Sequence, residues 1–286
     1  MSPKSLHVVF GAGQVGPFLA HDLREAGHRV RVVKRTPADL GPGIEVRTGD
    51  AADAAFCREA ADGAAAVYHC MNPGYDADLW ATLLPIYRDN LVAAAGAAGA
   101  RLVVLDNLYM LGKDLRGPIT EHTPWNPCSR KGQIRADVAA GLMEAHERGD
   151  ARVVVARGSD FYGPEGVGTH FGPDFWKGAL AGKPANFLPN PDTPHTYHFI
   201  PDVAAALAAL GQAEPDVEGR SWLLPCAPAE TSREMVERFA RVLGRPIRLR
   251  GLPRPLVKVV GRLVPMIREI GEMLYQWDLP FVVDDS

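Results

Sequence analysis

Short apolar runs rich in β-branched residues alternate with amphipathic stretches through the first half of the chain. The apolar runs are HVVF, RVRVV, IEV, AAVYHC, RLVVL and RVVVA, in this order. The stretches between them carry apolar residues at helical spacing, as Val15, Leu19 and Leu23 show. Parallel strands need long, usually helical, crossover connections, so this alternation predicts an α/β fold with a doubly wound parallel sheet.

The pattern changes after residue 158. Loops rich in Gly and Pro, such as FYGPEGVGTHFGP and FLPNPDTP, separate shorter elements such as TSREMVERFARVL. We predict a main domain over residues 1–158 and a smaller lobe over residues 159–286, with some segments of the lobe returning to the main domain. The late apolar stretch LVKVVGRLVPMI is interrupted by Lys258, Arg262 and Pro265 and is too short to span a bilayer, so we predict a packed or interfacial helix there.

Composition narrows the class of protein without identifying it. The chain has 286 residues, 47% of them hydrophobic and 23% charged, which is typical of a large globular unit. Its net charge of -3 gives no general attraction to nucleic acid or membranes, and neither is predicted as a partner. The four cysteines are far apart, so neither a metal site nor a disulfide framework is predicted. The N-terminus lacks an apolar run of signal-peptide length, and we predict a reducing, cytoplasmic setting.

A glycine motif follows the first predicted strand. The stretch VVFGAGQVGPFLAHDL places Gly11, Gly13 and Gly16 between that strand and an amphipathic helix. In such a motif the glycines allow a tight turn, close approach of the backbone to a pyrophosphate, and close packing of helix on strand. The helix N-terminus then receives the phosphates. We predict that these glycines, with Gln14 and Val15 in the same turn, bind a dinucleotide cofactor.

The end of the second strand predicts which dinucleotide is bound. A protein that reads the ribose 2'-hydroxyl of NAD carries an acidic residue there, but this chain carries Lys34 and Arg35. A guanidinium group pairs with a 2'-phosphate through two parallel hydrogen bonds, so we predict NADP(H). The alternative is a solvated basic turn. Asp50, after the third strand, is predicted either to accept a hydrogen bond from the adenine amino group or to cap the following helix.

Further motifs follow in a fixed order. AVYHC, YRDNLVAAAGAAGA, RLVVLDNLYMLG, RGSDFYGP and YHFIPDVAAAL stand in sequence behind the glycine motif. Together they resemble the extended or atypical branch of the short-chain dehydrogenase/reductase superfamily, the NAD-dependent epimerase/dehydratase-like proteins. The resemblance covers most of the chain and implies a Rossmann fold and a small-molecule substrate. We expect Asn72, which follows the fourth strand, to line the cofactor crevice.

The resemblance also implies an altered catalytic site. In the family, a Ser or Thr after the fifth strand works with a Tyr-x-x-x-Lys pair. The matching positions here are Asn107 for the Ser or Thr, Lys131 for the Tyr and Arg135 for the Lys, so each position departs from the family's residue. Arg135 keeps a positive charge that can hold the cofactor ribose, but it cannot cycle protons. Lys131 is predicted to donate a proton if burial and Arg135 lower its pKa, and the alternative is that it extends into solvent.

Several other side chains have two interpretations each. Tyr109 is a second candidate proton donor, or else it packs under the lobe. The aromatic residues of the lobe entrance suit either an apolar substrate wall or the core of the lobe: Phe161, Tyr162, Phe171, Phe175 and Trp176. His69 is predicted to be a core or edge histidine. The spacing of His195 and His198 along a strand predicts that at most one faces a substrate.

These observations favour an NADP(H)-dependent oxidoreductase that acts on a small carbonyl or activated alkene. A non-catalytic NADP(H)-binding sensor is the alternative from another class, because it would need the same cofactor residues. Sugar-nucleotide epimerisation ranks third, because position 131 lacks a tyrosine. We expect an apolar or aromatic substrate and allow for a homodimer.

Overall fold

The computed structural model describes residues 4–251 and 253–286. The strands are β1 (Leu6–Phe10), β2 (Arg29–Lys34), β3 (Ile44–Thr48), β4 (Ala64–His69), β5 (Arg101–Asp106), β6 (Arg152–Arg157), β7 (Asp160–Tyr162), β8 (Ala185–Asn186), β9 (Pro194–His195), β10 (Tyr197–Phe199), β11 (Arg220–Leu223), β12 (Glu230–Thr231) and β13 (Leu249–Arg250). The helices are α1 (Gly16–Glu25), α2 (Ala54–Ala61), α3 (Ala77–Ala98), α4 (Arg130–Glu147), α5 (Pro173–Leu180), α6 (Ile200–Gln212), α7 (Ser232–Leu243), α8 (Arg254–Val260) and α9 (Pro265–Met273).

A seven-stranded parallel sheet forms the centre of the molecule. Its strand order is β3, β2, β1, β4, β5, β6 and β11. Side chains alternate between its two faces, so that Val8 and Phe10 pack with α2, α3 and α4 while Val9 packs with α1 and α6. The predicted doubly wound sheet is confirmed. The strand order reverses between β1 and β4, where ligands of such sheets bind outside the carboxyl ends of the strands.

Capping residues determine where the helices near the carboxyl ends of the strands begin. The sequence pattern predicts a helix from Ala51, but this helix, α2, begins at Ala54, because the Asp53 side chain accepts hydrogen bonds from the amides of Ala55 and Phe56. Ser129 caps α4 in the same way by accepting from the amide of Gly132. This cap places positions 131 and 135 at the crevice end of α4.

The C-terminal part is built from short elements around a separate core. Three two-stranded sheets lie there, β7 with β10, β9 with β12, and β8 with β13. The aromatic core of this lobe includes Phe171, Phe175, Phe187 and Tyr197. Strand β11 and helix α6 pack on the main sheet instead. The division of the chain at residue 158 into a main domain and a smaller lobe stays a prediction.

The late apolar stretch forms two short helices where we predicted one. Gly261 ends α8, and Pro265 lies in the first turn of α9, where its missing N–H has no intrahelical partner to lose. Over the described parts of the chain, none of the helices has the length and apolar character needed to cross a bilayer.

Acid should destabilise this fold through His198, which ties β10 to the loop after β6. Its Nδ1 accepts a hydrogen bond from the Ser159 amide, and its Nε2 donates to the Leu224 carbonyl. Burial lowers the pKa of His198 to about 4, and the bond to Leu224 only partly opposes this. Between the unfolded pKa and this value the unfolded chain binds a proton that the folded chain does not, so stability falls as the pH decreases.

Denaturant titrations at about pH 7 and about pH 5 measure this effect, which amounts to ~1.4 kcal/mol per pH unit for one full proton. His198→Asn should flatten the pH dependence, whereas the same change at the exposed His122 should not. Equal slopes in wild type and His198→Asn would contradict the assignment.

Candidate functional site

A glycine loop joins β1 to α1 at the reversal point of the sheet. Gly11 has a φ of +111°, and a Cβ there would lie 2.8 Å from the carbonyl oxygen of Cys70. A Cβ at Gly16 would overlap the carbonyl oxygen of Gly11, so both positions require glycine. A Cβ at Gly13 would meet no atom within 4 Å. The backbone at Gly13 therefore borders open space that a pyrophosphate can approach, and the loop fits a dinucleotide.

A cavity of about 550 Å³ extends from this loop to the end of β2. The predicted cofactor residues that line it are Gly11, Gly13, Lys34, Arg35, Asp50 and Asn72. Arg35 is exposed, and within residues 4–251 and 253–286 no carboxylate pairs with it. The Asp50 carboxylate accepts a hydrogen bond from the Ala52 amide at 2.9 Å, so it closes a turn, while Asp53 caps α2. The cavity thus ends in a basic surface with an available guanidinium group.

A second cavity, of about 190 Å³, adjoins the first and shares Cys70, Met71 and Asn72 with it. The predicted residues that line it are Gln14, Val15, Asn72, Asn107, Tyr109 and Arg135. Gln14 also accepts a hydrogen bond from the Gly168 amide at 3.1 Å, which links the glycine loop to the loop over the cavity. The structure therefore brings the cofactor and catalytic candidates along one crevice, with Lys131 outside its lining.

Arg135 is fixed in the wall of this crevice by three contacts. Its Nη2 donates to Asn72 Oδ1 at 2.8 Å, and its Nη1 lies 3.3 Å from Asp106 Oδ1. Its guanidinium carbon lies 4.7 Å from the centre of the Trp80 ring. Asp106 also pairs with Arg157 at 3.5 Å, so one carboxylate serves two guanidinium groups. Arg135 is thus held in place with its charge only partly compensated.

Lys131 lies in a buried ion cluster with two acidic residues of α9. Its side chain is 0% exposed, and its Nζ lies 2.5 Å from Glu269 Oε2 and 2.7 Å from Glu272 Oε2. The alternative in which Lys131 extends into solvent is therefore wrong. Burial favours a raised pKa for Glu269, but the hydrogen bond and charge of Lys131 outweigh it and lower that pKa. The two carboxylates also offset the repulsion between Lys131 and Arg135 that their shared helix face would otherwise produce.

The same two glutamates accept hydrogen bonds from the first residues of two helices that pack on the main sheet. Glu269 accepts a hydrogen bond from the Ala77 amide at the start of α3, and Glu272 accepts from the Arg130 amide at the start of α4. Carboxylates are favourable at both places because helix N-termini carry partial positive charge. These hydrogen bonds hold helix α9 against the starts of α3 and α4 at one end of the candidate site, and Lys131 lies between the two glutamates.

Tyr109 faces the second cavity as part of an aromatic group. Its hydroxyl lies 3.1 Å from that of Tyr75, and its ring is stacked on Trp80 with 6.1 Å between ring centres. Burial, with the charge of Asp160, raises the pKa of Tyr109, so its hydroxyl keeps its proton at neutral pH. The Tyr109 amide donates to Asn107 Oδ1 at 3.1 Å. This bond fixes the Asn107 amide, whose N–H groups have no protein acceptor among the described residues.

Asp160 brings a carboxylate to the same cavity. It is the fourth residue of the RGSDFYGP motif, and its Oδ2 lies 2.8 Å from Nε2 of the buried His195. Burial favours a raised pKa for Asp160, but the hydrogen bond from His195 and the neighbouring histidines lower it overall. The cavity wall therefore holds the negative charge of Asp160 as well as the positive charge of Arg135. His195 and His198 are both buried, and neither lines the cavity.

The aromatic residues of the lobe entrance separate into two groups. Phe161 lines the second cavity. Phe171 and Phe175 are buried in the lobe core, and Tyr162 and Trp176 pack against that core, so the substrate-wall interpretation fails for these four. His69 is buried and its Nδ1 accepts a hydrogen bond from the Met71 amide, which confirms a core position.

Sequence reasoning missed five residues that shape the site: Tyr75, Trp80, Asp160, Glu269 and Glu272. The two glutamates did leave a signal, because they stand three residues apart on one helix face directly after a long stretch without acidic residues. Nothing in the sequence around Tyr75 and Trp80 indicated that they pack on positions 109, 131 and 135.

The fold and the crevice define a Rossmann-type protein of the short-chain dehydrogenase/reductase class. The model of the NAD dependent epimerase/dehydratase family matches residues 7–224, and the chain belongs to this family. The expected family is thus confirmed. No curated protein matches the chain.

Solved structures show the same fold at low sequence identity. UDP-glucuronic acid 4-epimerase from Bacillus cereus, in complex with NAD, is 17% identical, with 86% of this chain and 87% of that chain covered and a TM-score of 0.74. WbmH from Bordetella bronchiseptica, in complex with NAD+, is 20% identical, with 87% and 86% covered and a TM-score of 0.71. UDP-glucose 4-epimerase from Thermus thermophilus, also with NAD, is 19% identical, with 87% and 86% covered and a TM-score of 0.71.

Proposed function

We propose that the protein is an NADP(H)-dependent oxidoreductase that reduces a small carbonyl compound or activated alkene. The observation that carries the proposal is the second cavity, which joins the cofactor crevice and is lined by Asn107, Tyr109 and Phe161. Its volume of about 190 Å³ is small beside the ~300–1,000 Å³ typical of sites for larger ligands. A small, partly apolar substrate fits this space better than a large polar one.

The cofactor residues support NADP(H) over NAD(H). When bound, NADP(H) supplies a hydride. Gly13 and the start of α1 would hold its pyrophosphate, Arg35 and Lys34 its 2'-phosphate, and Arg135 its nicotinamide ribose. The solved relatives named above contain NAD, so NADP(H) is a specific proposal for this chain and rests on Arg35 and Lys34.

Tyr109 is the proton donor in this proposal. The Asn107 amide donates a hydrogen bond to the substrate oxygen and polarises it, as a hydroxyl would at the same position. An alkoxide formed from a carbonyl is a stronger base than a phenolate, so Tyr109 can protonate it even with a raised pKa. Lys131, which the sequence also offered as donor, is engaged by Glu269 and Glu272 and is proposed here to anchor α9.

Arg35→Ala tests the cofactor assignment. The variant should bind NADPH about 10- to 150-fold more weakly, since a charge-assisted hydrogen bond is worth ~1.5–3 kcal/mol. Its affinity for NADH should change little, because that cofactor has no 2'-phosphate. Fluorescence titration with both cofactors measures the two constants. Arg29→Ala is the matched control, because Arg29 is an exposed arginine at the other end of β2.

A wild-type protein that binds NADH more tightly than NADPH would refute the NADP(H) assignment. Equal losses in Arg35→Ala and Arg29→Ala would show that only general charge matters.

Sugar-nucleotide epimerisation is the second candidate, and the UDP-sugar epimerases among the solved relatives favour it. Against it stands Asp160, whose carboxylate in the cavity wall would repel a diphosphate. Thermal-shift titration with UDP-glucose in the presence of NADPH or NAD distinguishes the two, because stabilisation by the sugar nucleotide would favour the epimerase. The cytoplasmic setting and a homodimer stay predictions.

A further inference from the structure

Residues 245–268, which we call the basic segment, carry seven cationic side chains and no acidic one. The cations are Arg245, Arg248, Arg250, Arg254, Lys258, Arg262 and Arg268. Arg254 pairs with Asp278, and Arg268 pairs with Glu269. Arg248, Lys258 and Arg262 are exposed, and none of the described residues offers their side chains an ion pair or hydrogen bond. The net charge of the chain, -3, conceals this local excess of positive charge.

Large apolar side chains are exposed among these cations. The exposed fractions are 43% for Leu256, 54% for Val259, 84% for Leu263, 42% for Val264 and 52% for Met266. All five lie on α8, on the turn after it or in the first turn of α9. Isolated exposed apolar residues are ordinary, but five within eleven positions form a patch that marks an interaction site.

The inner side of the same helices already holds them on the protein. Val257 is buried with Leu274 and Trp277, and Ile267 and Ile270 pack against this cluster. The exposed apolar side chains are therefore not needed to hold α8 and α9 in place. They form a second apolar surface that points away from the fold.

We propose that the basic segment docks the protein onto an anionic lipid surface. Amphipathic helices with apolar side chains between lysines and arginines bind at the boundary of headgroups and acyl chains. The apolar side chains of the α8–α9 turn would enter that boundary, while Lys258, Arg262 and Arg248 would contact the headgroups. Each cation near an anionic surface contributes about fivefold in affinity.

The positive charge of the basic segment favours an anionic lipid surface over the other partners that an apolar patch could bind. A second copy of the chain would bring the same unpaired cations against each other, which is unfavourable. Nucleic acid would satisfy the cations but would leave Leu263 and its neighbours exposed. An anionic lipid surface satisfies both the charge and the apolar side chains.

Flotation of the full-length protein with vesicles tests the proposal. We expect binding to vesicles of phosphatidylcholine and phosphatidylglycerol, weaker binding to phosphatidylcholine alone, and loss of binding at high salt. Lys258→Glu with Arg262→Glu should weaken binding by at least about 20-fold, and Leu263→Ser with Val264→Ser should weaken it at all salt concentrations. Lys113→Glu with Arg116→Glu is the matched control, since both residues are exposed cations outside the segment.

Three results would overturn the proposal. One is a wild-type protein that stays unbound to anionic vesicles at low salt. Another is a control variant that loses as much binding as Lys258→Glu with Arg262→Glu. The third is a dimer in sedimentation experiments that Leu263→Ser dissociates, together with no vesicle binding, which would assign the patch to a second copy. Circular dichroism of each variant checks that these exposed substitutions leave the fold intact.

Discussion

Replacing Lys131 by Met should lower the free energy of unfolding by about 3–5 kcal/mol, a large share of the stability of an ordinary domain. The methionine keeps most of the buried stem, but Glu269 and Glu272 lose the ammonium group between them. Removing one member of a buried ion cluster leaves uncompensated charge, which costs far more than a surface pair. Chemical denaturation of both proteins measures the difference. NADPH affinity should be kept under conditions where the variant is folded, because Lys131 does not line either cavity described above.

Two further variants distinguish loss of the buried ion cluster from a general effect of removing a cation. Arg130→Met removes the neighbouring cation, whose pair with Asp78 is exposed, and should cost ~1 kcal/mol or less. Adding Glu269→Gln and Glu272→Gln to Lys131→Met should recover much of the lost stability, since no buried charge is then left alone. A loss below ~1 kcal/mol in Lys131→Met would show that the cluster contributes little. Lost turnover with unchanged stability would instead restore Lys131 as a proton donor.

Replacing Tyr109 by Phe should lower turnover on small ketones or enones by about 10²- to 10⁴-fold, the usual contribution of a positioned proton donor. The phenylalanine ring keeps the stacking on Trp80 and loses only the hydroxyl. Stability and NADPH affinity should therefore change little. Steady-state kinetics with NADPH over a panel of ketones and enones, beside cofactor titration, separates the two effects.

Tyr75→Phe is the control, because it removes the hydrogen-bond partner of Tyr109 and leaves the proposed donor in place. We expect a reduction of at most about tenfold in turnover. Unchanged turnover in Tyr109→Phe would place the donor elsewhere. A wild type that binds NADPH tightly and turns over none of the panel would favour the sensor.

The sheet could be predicted because its information is local. Each strand of the first half is a short apolar run, and each crossover shows helical spacing, so alternation alone indicates parallel strands. The glycine loop could also be predicted, since the roles of Gly11 and Gly16 depend on neighbours within a few residues and on the adjacent strand. Element boundaries were less certain, as Asp53 shows by moving the start of α2 to Ala54.

The surroundings of the catalytic positions could not be predicted, because they come from distant segments. Lys131 and Arg135 stand four residues apart, a spacing that places them on one helix face. The spacing does not indicate that Glu269 and Glu272 bind Lys131, or that Asp106 and Asn72 hold Arg135. Single-sequence patterns report the face of an element and not its partner. For the same reason, the sequence does not indicate which aromatic residues of the lobe entrance line the cavity and which belong to the core of the lobe.

The capping of α3 and α4 by α9 has a consequence for the order in which this chain matures on the ribosome. The strands and helices of the first 158 residues are synthesised well before residues 269 and 272 emerge. Until then, the amides of Ala77 and Arg130 and the ammonium group of Lys131 lack the carboxylates that hold them in the folded protein. A nascent chain can therefore assemble the cofactor half of the crevice early, whereas the catalytic half is completed only after residues 269 and 272 have been synthesised.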